Sequence, residues 1–268
     1  MNPLIVIRGG GDLASGVAIR LHRAGFQVAI LELEKPLAVR RTVAFSEAVY
    51  EGAHTVEDVT ARLVSADQFQ VALEAREIPV LIDPDANILR NQFVTSPSST
   101  FVVDARLLKS EPEPLPVNVP LHIGLGPGFS AGENCHAVIE TRRSHTLGRV
   151  YWQGQPQPDS GLPEGDPRRV LRAPASGRVR GLKSIGDFCR EEEAIAEVGG
   201  QQVHSPFNGI LRGLIHPSAE VSEGTKIGDV DPRNGPEVCR LVSDKALSVG
   251  GGVLEAALIQ LKKAGLDS

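Results

Sequence analysis

Hydrophobic positions in the first half of the chain change between strand and helix periodicity. The apolar runs 4–7 and 27–31 flank a helical pattern whose shared face is formed by Ala14, Val17, Ala18 and Leu21. Two further apolar runs, 79–83 and 100–104, each end in an aspartate and are typical of buried strands. Strands that alternate with helices predict a parallel sheet with right-handed crossovers, and therefore an α/β fold.

Two more helices are predicted between the second and third of these runs. Residues 55–58 are typical of a helix start, after which one face would hold Val56, Val59 and Leu63. A second helical pattern covers residues 67–76 and stops before Pro79. Both helices fit the crossovers that a parallel sheet requires.

A glycine turn lies between the first strand and the first helix, in residues 8–16. Its backbone N–H groups would surround the N-terminus of the helix, an arrangement that suits a phosphate. Gly9, Gly11 and Ala14 match the dinucleotide fingerprint, and the second strand ends in an acid where a ribose-binding residue belongs. We therefore predict a Rossmann-like nucleotide- or anion-binding domain over residues 1–155, with ligand contacts from Arg8, Gly9, Gly10, Gly11, Asp12, Ala14 and Glu32.

A tight strand-to-helix turn that binds nothing is the alternative explanation of these glycines. The carboxylate of Asp12 would repel a pyrophosphate, a charge that Arg8 could offset; alternatively, Asp12 caps the helix. The basic pair Arg40 and Arg41 lies near the expected cleft, although a solvated surface is the commoner explanation for such a pair.

Residues 124–145 hold two further candidate sites. Arginine pairs bidentately with phosphate or carboxylate, so an anionic ligand is suggested by Gly124, Gly126, Gly128, Arg142 and Arg143. On a strand, His136 and Glu140 would share a face and His145 could return across a turn, which would suit a metal site or an acid–base pair. The alternative that we favour is an exposed polar face with two unconnected histidines.

An internal repeat occupies the segment 168–232. Its first half contains Pro174, Gly177, Arg180 and Gly181, which recur 32 residues later as Pro206, Gly209, Arg212 and Gly213. The segment resembles the barrel-sandwich hybrid of biotinyl and lipoyl carriers, which bear a lysine on the hairpin between the halves. Here residues 197–204 contain no lysine, so we expect neither biotin nor lipoate and interpret the module as a structural or docking unit.

The C-terminal segment, 233–268, changes character again. A strand is predicted over 238–242, and three glycines, 250–252, precede a helix whose apolar face contains Val253, Leu254, Ala257, Leu258 and Leu261. The glycines echo the first turn and suggest another anion-binding turn. We expect this segment to pack back on the first domain, with the β module either inserted or appended.

Composition excludes several classes of protein. The 268 residues carry a formal net charge of −5, which argues against a nucleic-acid partner. The apolar runs are too short to span a membrane, and the chain opens directly on a strand, so we expect a cytoplasmic protein. Three widely spaced cysteines form neither a disulfide framework nor a zinc pair.

Taken together, five segments resemble the YqeB family of the selenium-dependent molybdenum hydroxylase system: residues 8–16, 39–48, 124–129, 136–141 and 243–256. The resemblance implies an accessory protein that matures these hydroxylases, with a hydroxylase or its maturation machinery as partner. It further implies a nucleotide or molybdopterin-type ligand, and it carries over no catalytic residue. An NAD(P)-dependent oxidoreductase and a non-catalytic docking protein remain alternatives, and self-association into a homo-oligomer is left open.

Overall fold

A nine-stranded mixed sheet forms the larger part of the fold in the computed structural model, which describes residues 3–91, 99–159, 165–233 and 235–265. In chain order, strands β1–β9 are Leu4–Arg8, Gln27–Glu32, Ala53–Val56, Val59–Leu63, Ile78–Ile82, Thr100–Asp104, Leu121–Leu125, Ala137–Ile139 and Val150–Tyr151. Across the sheet their order is β3-β4-β5-β2-β1-β6-β7-β8-β9. The seven inner strands run parallel, while β3 and β9 are antiparallel edge strands.

Each face of this sheet buries a separate apolar cluster. The helices are α1 (Asp12–Arg23), α2 (Ala48–Glu51), α3 (Phe69–Glu74) and α4 (Asp244–Lys263). On one face, α1 and α4 share a core with the sheet residues Ile5, Ile7 and Ile123. On the other face, Val6 and Val102 pack with residues of α3. We refer to this sheet and its four helices as the sheet domain.

Helices α1 and α4 meet at positions without large side chains. A Cβ on Gly16 would lie 2.6 Å from the Cβ of Ala246, and one on Gly250 would lie 2.9 Å from the carbonyl oxygen of Gly16. Real Cβ contacts do not reach such separations, so the crossing requires glycine at both positions. The C-terminal helix is thereby held against the first helix of the chain.

The duplicated segment folds into two four-stranded antiparallel sheets, which we call the β unit. Its strands β10–β17 are Val170–Arg172, Gly177–Gly181, Phe188–Cys189, Ala194–Val198, Gln201–His204, Gly209–Leu214, Glu220–Val221 and Lys226–Asp231. The sheet orders are β10-β17-β15-β12 and β14-β13-β11-β16. Each strand of the first repeat corresponds to a strand 32 residues later in the second repeat, and the two members of each such pair lie in different sheets. Each sheet therefore contains strands from both repeats. One apolar cluster lies between them.

The predicted fold class, α/β with a Rossmann-like parallel sheet and a barrel-sandwich hybrid module, was wrong. The sheet is mixed because hairpins close both of its edges. The helix predicted over 55–63 is the hairpin β3–β4: Glu57 takes a left-handed φ of 56° and turns the chain between Val56 and Val59. Residues 105–120, all described, cross from β6 to β7 without a helix, since prolines recur through 112–116.

The C-terminal predictions also need correction. The segment predicted as a strand forms the 3₁₀ helix Pro236–Arg240. Residues 250–252 lie inside α4, which begins at Asp244 and is capped by Ser243, whose hydroxyl accepts from the backbone N–H of Ala246. These glycines permit close packing rather than a turn: a Cβ on Gly252 would overlap the carbonyl oxygen of Gly148. None of the helices in the described ranges is long and apolar enough to cross a membrane.

Replacing Gly16 by valine should destabilise the protein by about 1–3 kcal/mol, because the added side chain overpacks the α1–α4 crossing. The matched control is Gly251→Ala in α4, where a Cβ meets none of the described atoms within 4 Å. That change should stabilise the helix by up to about 1 kcal/mol. Urea denaturation measures both effects; equal stability of the two variants would show that the helices do not meet at Gly16.

Candidate functional site

Gly9 and Gly10, the first two glycines of the turn, make backbone contacts that hold the fold together. Gly9 has a φ of +92°, which favours glycine, and its N–H donates to the carbonyl oxygen of Leu31 at 2.7 Å. The carbonyl oxygen of Gly10 accepts from the N–H of Ser46 at 2.9 Å. A Cβ on Gly10 would lie 2.8 Å from the nitrogen of Ser46, so a larger residue would push this segment away.

Glu32 fastens the turn instead of presenting its carboxylate to a ribose. Its Oε2 accepts from the N–H of Gly10 at 2.6 Å and its Oε1 accepts from the N–H of Leu33 at 2.7 Å. The residue is buried, and burial raises its pKa, while the two backbone donors oppose that rise. The predicted ribose contact of Glu32 and phosphate contact of Gly10 therefore disagree with the structure, which joins the two groups to each other.

Arg8 points away from the helix N-terminus and into a buried ion-pair cluster. Its guanidinium donates to Asp104 at 3.3 Å, to the carbonyl oxygen of Pro84 at 2.9 Å and to Glu113 at 2.6 Å. Arg106 donates to both carboxylate oxygens of Asp104, at 2.9 and 2.6 Å. Burial raises the pKa of Glu113, but hydrogen bonds from Arg106 and Arg8 outweigh it and lower that pKa to about 2. Arg8 thus does not offset the charge of Asp12 as predicted.

The N-terminus of α1 is open at Gly11. Gly11 is the N-cap residue, with φ −65° and ψ −179°, and a Cβ there would meet no described atom within 4 Å. No side chain in the described ranges caps the helix, so the alternative that Asp12 is the cap is wrong. Asp12 is the first helical residue and pairs with Arg40 at 3.1 Å, while Ala14 is buried in the core and faces no ligand.

Of the basic pair Arg40 and Arg41, Arg41 joins the sheet domain to the β unit. Arg41 donates through Nε to the carbonyl oxygen of Leu214 at 3.1 Å and through its terminal nitrogen to Glu47 at 2.8 Å. Beside them, the hydroxyl of Thr42 donates to the carbonyl oxygen of Cys239 at 2.6 Å. The pair therefore lies at an interface and not on a solvated face.

The second glycine cluster is explained by packing. A Cβ on Gly124 would overlap the ring of Phe129, and one on Gly128 would overlap the carbonyl oxygen of Ser110. Gly126 has a φ of +118°, and the N–H of Gly128 donates to the carbonyl oxygen of Leu108 at 2.8 Å. Gly126 and Gly128 thus allow residues 107–110 to pack closely against this loop. The predicted anion loop therefore has no uncrowded position like Gly11.

The residues that follow this loop do not converge on an anion either. The side chain of Arg143 pairs with Asp244 through two hydrogen bonds, of 2.7 and 2.6 Å. Arg142 is exposed, and its backbone N–H donates to Glu140 at 2.8 Å. The predicted cooperation of Arg142 and Arg143 with the second glycine cluster is therefore not observed.

The candidate metal ligands are separate groups. Glu140 is fully buried, and its carboxylate accepts from the backbone N–H groups of Arg142 and Gln157, both at 2.8 Å. The Nδ1 of His136 accepts from the N–H of His122 at 2.8 Å, and His145 is exposed. Within the described ranges, no three His, Cys, Asp or Glu side chains could hold a metal ion together. The structure therefore does not bring His136, Glu140 and His145 together as metal ligands.

A buried histidine escaped the sequence analysis. His122 lies on β7 beside Phe129, with their rings edge to face and their centroids 6.1 Å apart. Its Nε2 is buried and has no hydrogen-bond partner in the described part of the chain. Burial lowers the pKa of His122 to about 4. No pattern marks it, because a histidine between apolar strand residues looks like any partly exposed polar position.

Comparison with known proteins gives one match over nearly the whole chain. It is 46% identical over 261 residues to the uncharacterized protein YqeB of Escherichia coli (strain K12), a match that covers 96% of this chain and 47% of YqeB. The chain spans about half the length of that relative. No protein-family model matches the chain.

Solved structures resemble the chain only at low scores. An aspartoacylase family protein from Mesorhizobium loti is 8% identical with a TM-score of 0.24, covering 85% of this chain and 84% of its own. The ectoine utilization protein EutE (DoeB) from Ruegeria pomeroyi is 12% identical with a TM-score of 0.26, covering 85% of each chain.

The burial of His122 predicts that the free energy of unfolding decreases at acid pH. Because its pKa falls from 6.5 in the unfolded chain to about 4 in the fold, its contribution to stability is complete above pH 6.5 and is lost as the pH falls towards 4. The loss should reach roughly 3 kcal/mol. In His122→Phe this part of the pH dependence should vanish, whereas the exposed His145→Phe should keep the wild-type profile. Urea denaturation between pH 7.5 and 4 tests this, and identical profiles for all three proteins would contradict it.

Proposed function

We propose that the chain binds an anionic ligand of the phosphate type at the N-terminus of α1. The ligand would be a nucleotide or a compound related to the molybdenum cofactor, and the protein an accessory factor in the maturation of selenium-dependent molybdenum hydroxylases. The observation that carries the ligand proposal is the helix end at Gly11, where no described side chain caps α1 and a Cβ on Gly11 would meet no described atom within 4 Å.

The electrostatics of this helix end favour an anion. The aligned peptide dipoles of a helix place about half a positive charge at its N-terminus, and the first N–H groups lack partners within the helix. Asp12 would repel a phosphate, but its pairing with Arg40 offsets that charge. Arg40 also brings a guanidinium group, a good partner for phosphate, to the same end of the helix.

The maturation role rests on the segments that resemble the YqeB family of the selenium-dependent molybdenum hydroxylase system. Two of these segments, 8–16 and 39–48, contact each other directly through the hydrogen bond between Ser46 and Gly10. These two segments thus meet beside the proposed ligand site.

The oxidoreductase alternative is less well supported. It assigned Glu32 to the ribose of NAD(P), but both oxygens of that carboxylate accept hydrogen bonds from the protein backbone. A ligand would have to displace the contact between Glu32 and Gly10, which also holds the turn in place.

Gly11→Asp should abolish phosphate binding while leaving the fold intact. Aspartate is a favoured N-cap residue, and its carboxylate would occupy the helix N–H groups that the ligand needs. The matched control is Gly251→Asp in α4, an equally uncrowded glycine. Isothermal titration with pyrophosphate, ATP, CTP and NADP⁺ should show binding to wild type and Gly251→Asp alone. If Gly11→Asp binds as tightly as wild type, the helix N-terminus is not the site.

The maturation role has its own test. In cells that lack the gene, activity of a selenium-dependent molybdenum hydroxylase should be restored by wild type and by Gly251→Asp but not by Gly11→Asp. Full hydroxylase activity without any copy of the gene would contradict the role.

A further inference from the structure

We propose that Arg212 of the β unit and Arg40 of the sheet domain together hold the phosphate groups of the ligand, so that the β unit completes the site at the N-terminus of α1. We call these two residues the arginine pair. The inference rests on the function proposed above and adds to it that the ligand is bound between two parts of the molecule.

Both guanidinium groups are mostly buried and have unused donors. The side chain of Arg40 is 11% exposed and that of Arg212 is 14% exposed. Arg40 donates to Asp12 at 3.1 Å, and Arg212 donates to Asp231 at 3.1 Å. The Nε–H of each is buried and has no partner among the described residues. A buried donor without an acceptor is costly, so each group favours a further acceptor.

The segments that carry the arginine pair interlock. A Cβ on Gly213, next to Arg212, would lie 2.7 Å from the carbonyl oxygen of Val39, next to Arg40. The Sγ of Cys239 lies 3.9 Å from the carbonyl oxygen of Leu211, while the carbonyl oxygen of Cys239 accepts from Thr42. The backbone before Arg40 therefore lies against the backbone after Arg212, and Cys239 bridges Leu211 and Thr42 on the other side.

The arginine pair lies in a network of ion pairs. Asp231 pairs with Arg212, Arg233 and, at 3.6 Å, Arg169, while Asp229 pairs with Arg169. Counting Arg40 with Asp12, these contacts join four arginines to three aspartates. Other charged groups nearby are the pairs Arg41 with Glu47 and Arg143 with Asp244, and Glu237, whose charge reaches Cys239 as those of Arg40 and Arg212 do.

The two charges of the arginine pair act on each other. Burial lowers the pKa of Arg212, and the positive charge of Arg40 lowers it further. Two like charges held together in a partly buried place repel each other, and an anion between them would remove that repulsion. A phosphate group accepts several hydrogen bonds at once and matches the planar fork of arginine.

The chemistry points to a chain of two or more phosphates. One phosphate would accept hydrogen bonds from the uncapped N–H groups of α1, and the next would accept them from the arginine pair. The two sets of donors are close because Arg40 pairs with Asp12 in the first turn of that helix. A pyrophosphate linkage carried by a nucleotide or by a molybdopterin dinucleotide has this form. Binding would then hold the β unit and the sheet domain together.

The internal repeat supplies a matched control for the test. Arg180 stands 32 residues before Arg212, on β11 as Arg212 stands on β15, but its side chain is 68% exposed and pairs with Glu197. Wild type, Arg212→Gln, Arg180→Gln and Gly11→Asp are titrated with inorganic pyrophosphate and, separately, with CTP. Thermal unfolding without ligand verifies that each variant is folded, and Arg212→Lys, which keeps the charge, replaces Arg212→Gln if the latter unfolds.

We expect Arg212→Gln to weaken the binding of both probes by about tenfold or more and Arg180→Gln to bind as wild type does. If Gly11→Asp abolishes binding but Arg212→Gln binds like wild type, this inference is wrong and the proposed function stands. A loss with CTP alone would mean that Arg212 contacts the nucleoside, which also overturns it. If the loss occurs in Arg212→Gln but not in Gly11→Asp, the arginine pair stands and the helix N-terminus does not. No binding by wild type would contradict both proposals.

Discussion

The close backbone approach at Gly10 is the contact on which the rest of the site depends. Only a residue without a Cβ lets Ser46 come near enough to donate to the carbonyl oxygen of Gly10. At the other end of the same residue, the buried carboxylate of Glu32 accepts a hydrogen bond from the N–H of Gly10. The turn is thereby fixed from two directions before any ligand binds, and Gly11 is left as the position that faces open space.

The segment held by this contact also connects the two parts of the molecule. One side of residues 39–47 lies on the glycine turn, where the hydroxyl of Ser15 accepts from the N–H of Phe45 at 2.8 Å. The other side receives the β unit through the hydrogen bond from Arg41 to Leu214. The β unit therefore contacts the segment that also lies against the glycine turn. In our proposal, the residues that match a dinucleotide fingerprint form one side of a site shared with the β unit.

Sequence patterns identified the features that depend on near neighbours. The strand 100–104 was predicted within its observed bounds because both of its faces are buried. The spacing of Val56 and Val59 fits a helix and a hairpin equally, so the sequence could not distinguish them. Gly250 was predicted in a turn because Gly16, against which it packs, lies far away in the chain. Gly11 was predicted as a site residue from a local motif, the dinucleotide fingerprint. Arg212 was not, since its role depends on how β15 docks against residues 39–42, which no local pattern encodes.

The central claim is that a phosphate group binds between the N-terminus of α1 and the arginine pair. A crystal structure of the full chain grown with saturating pyrophosphate tests it most directly. We predict electron density for the anion within hydrogen-bond distance of the backbone N–H groups after Gly11 and of the guanidinium groups of Arg40 and Arg212. Density for pyrophosphate at another place, with this cleft holding only water, would contradict the account.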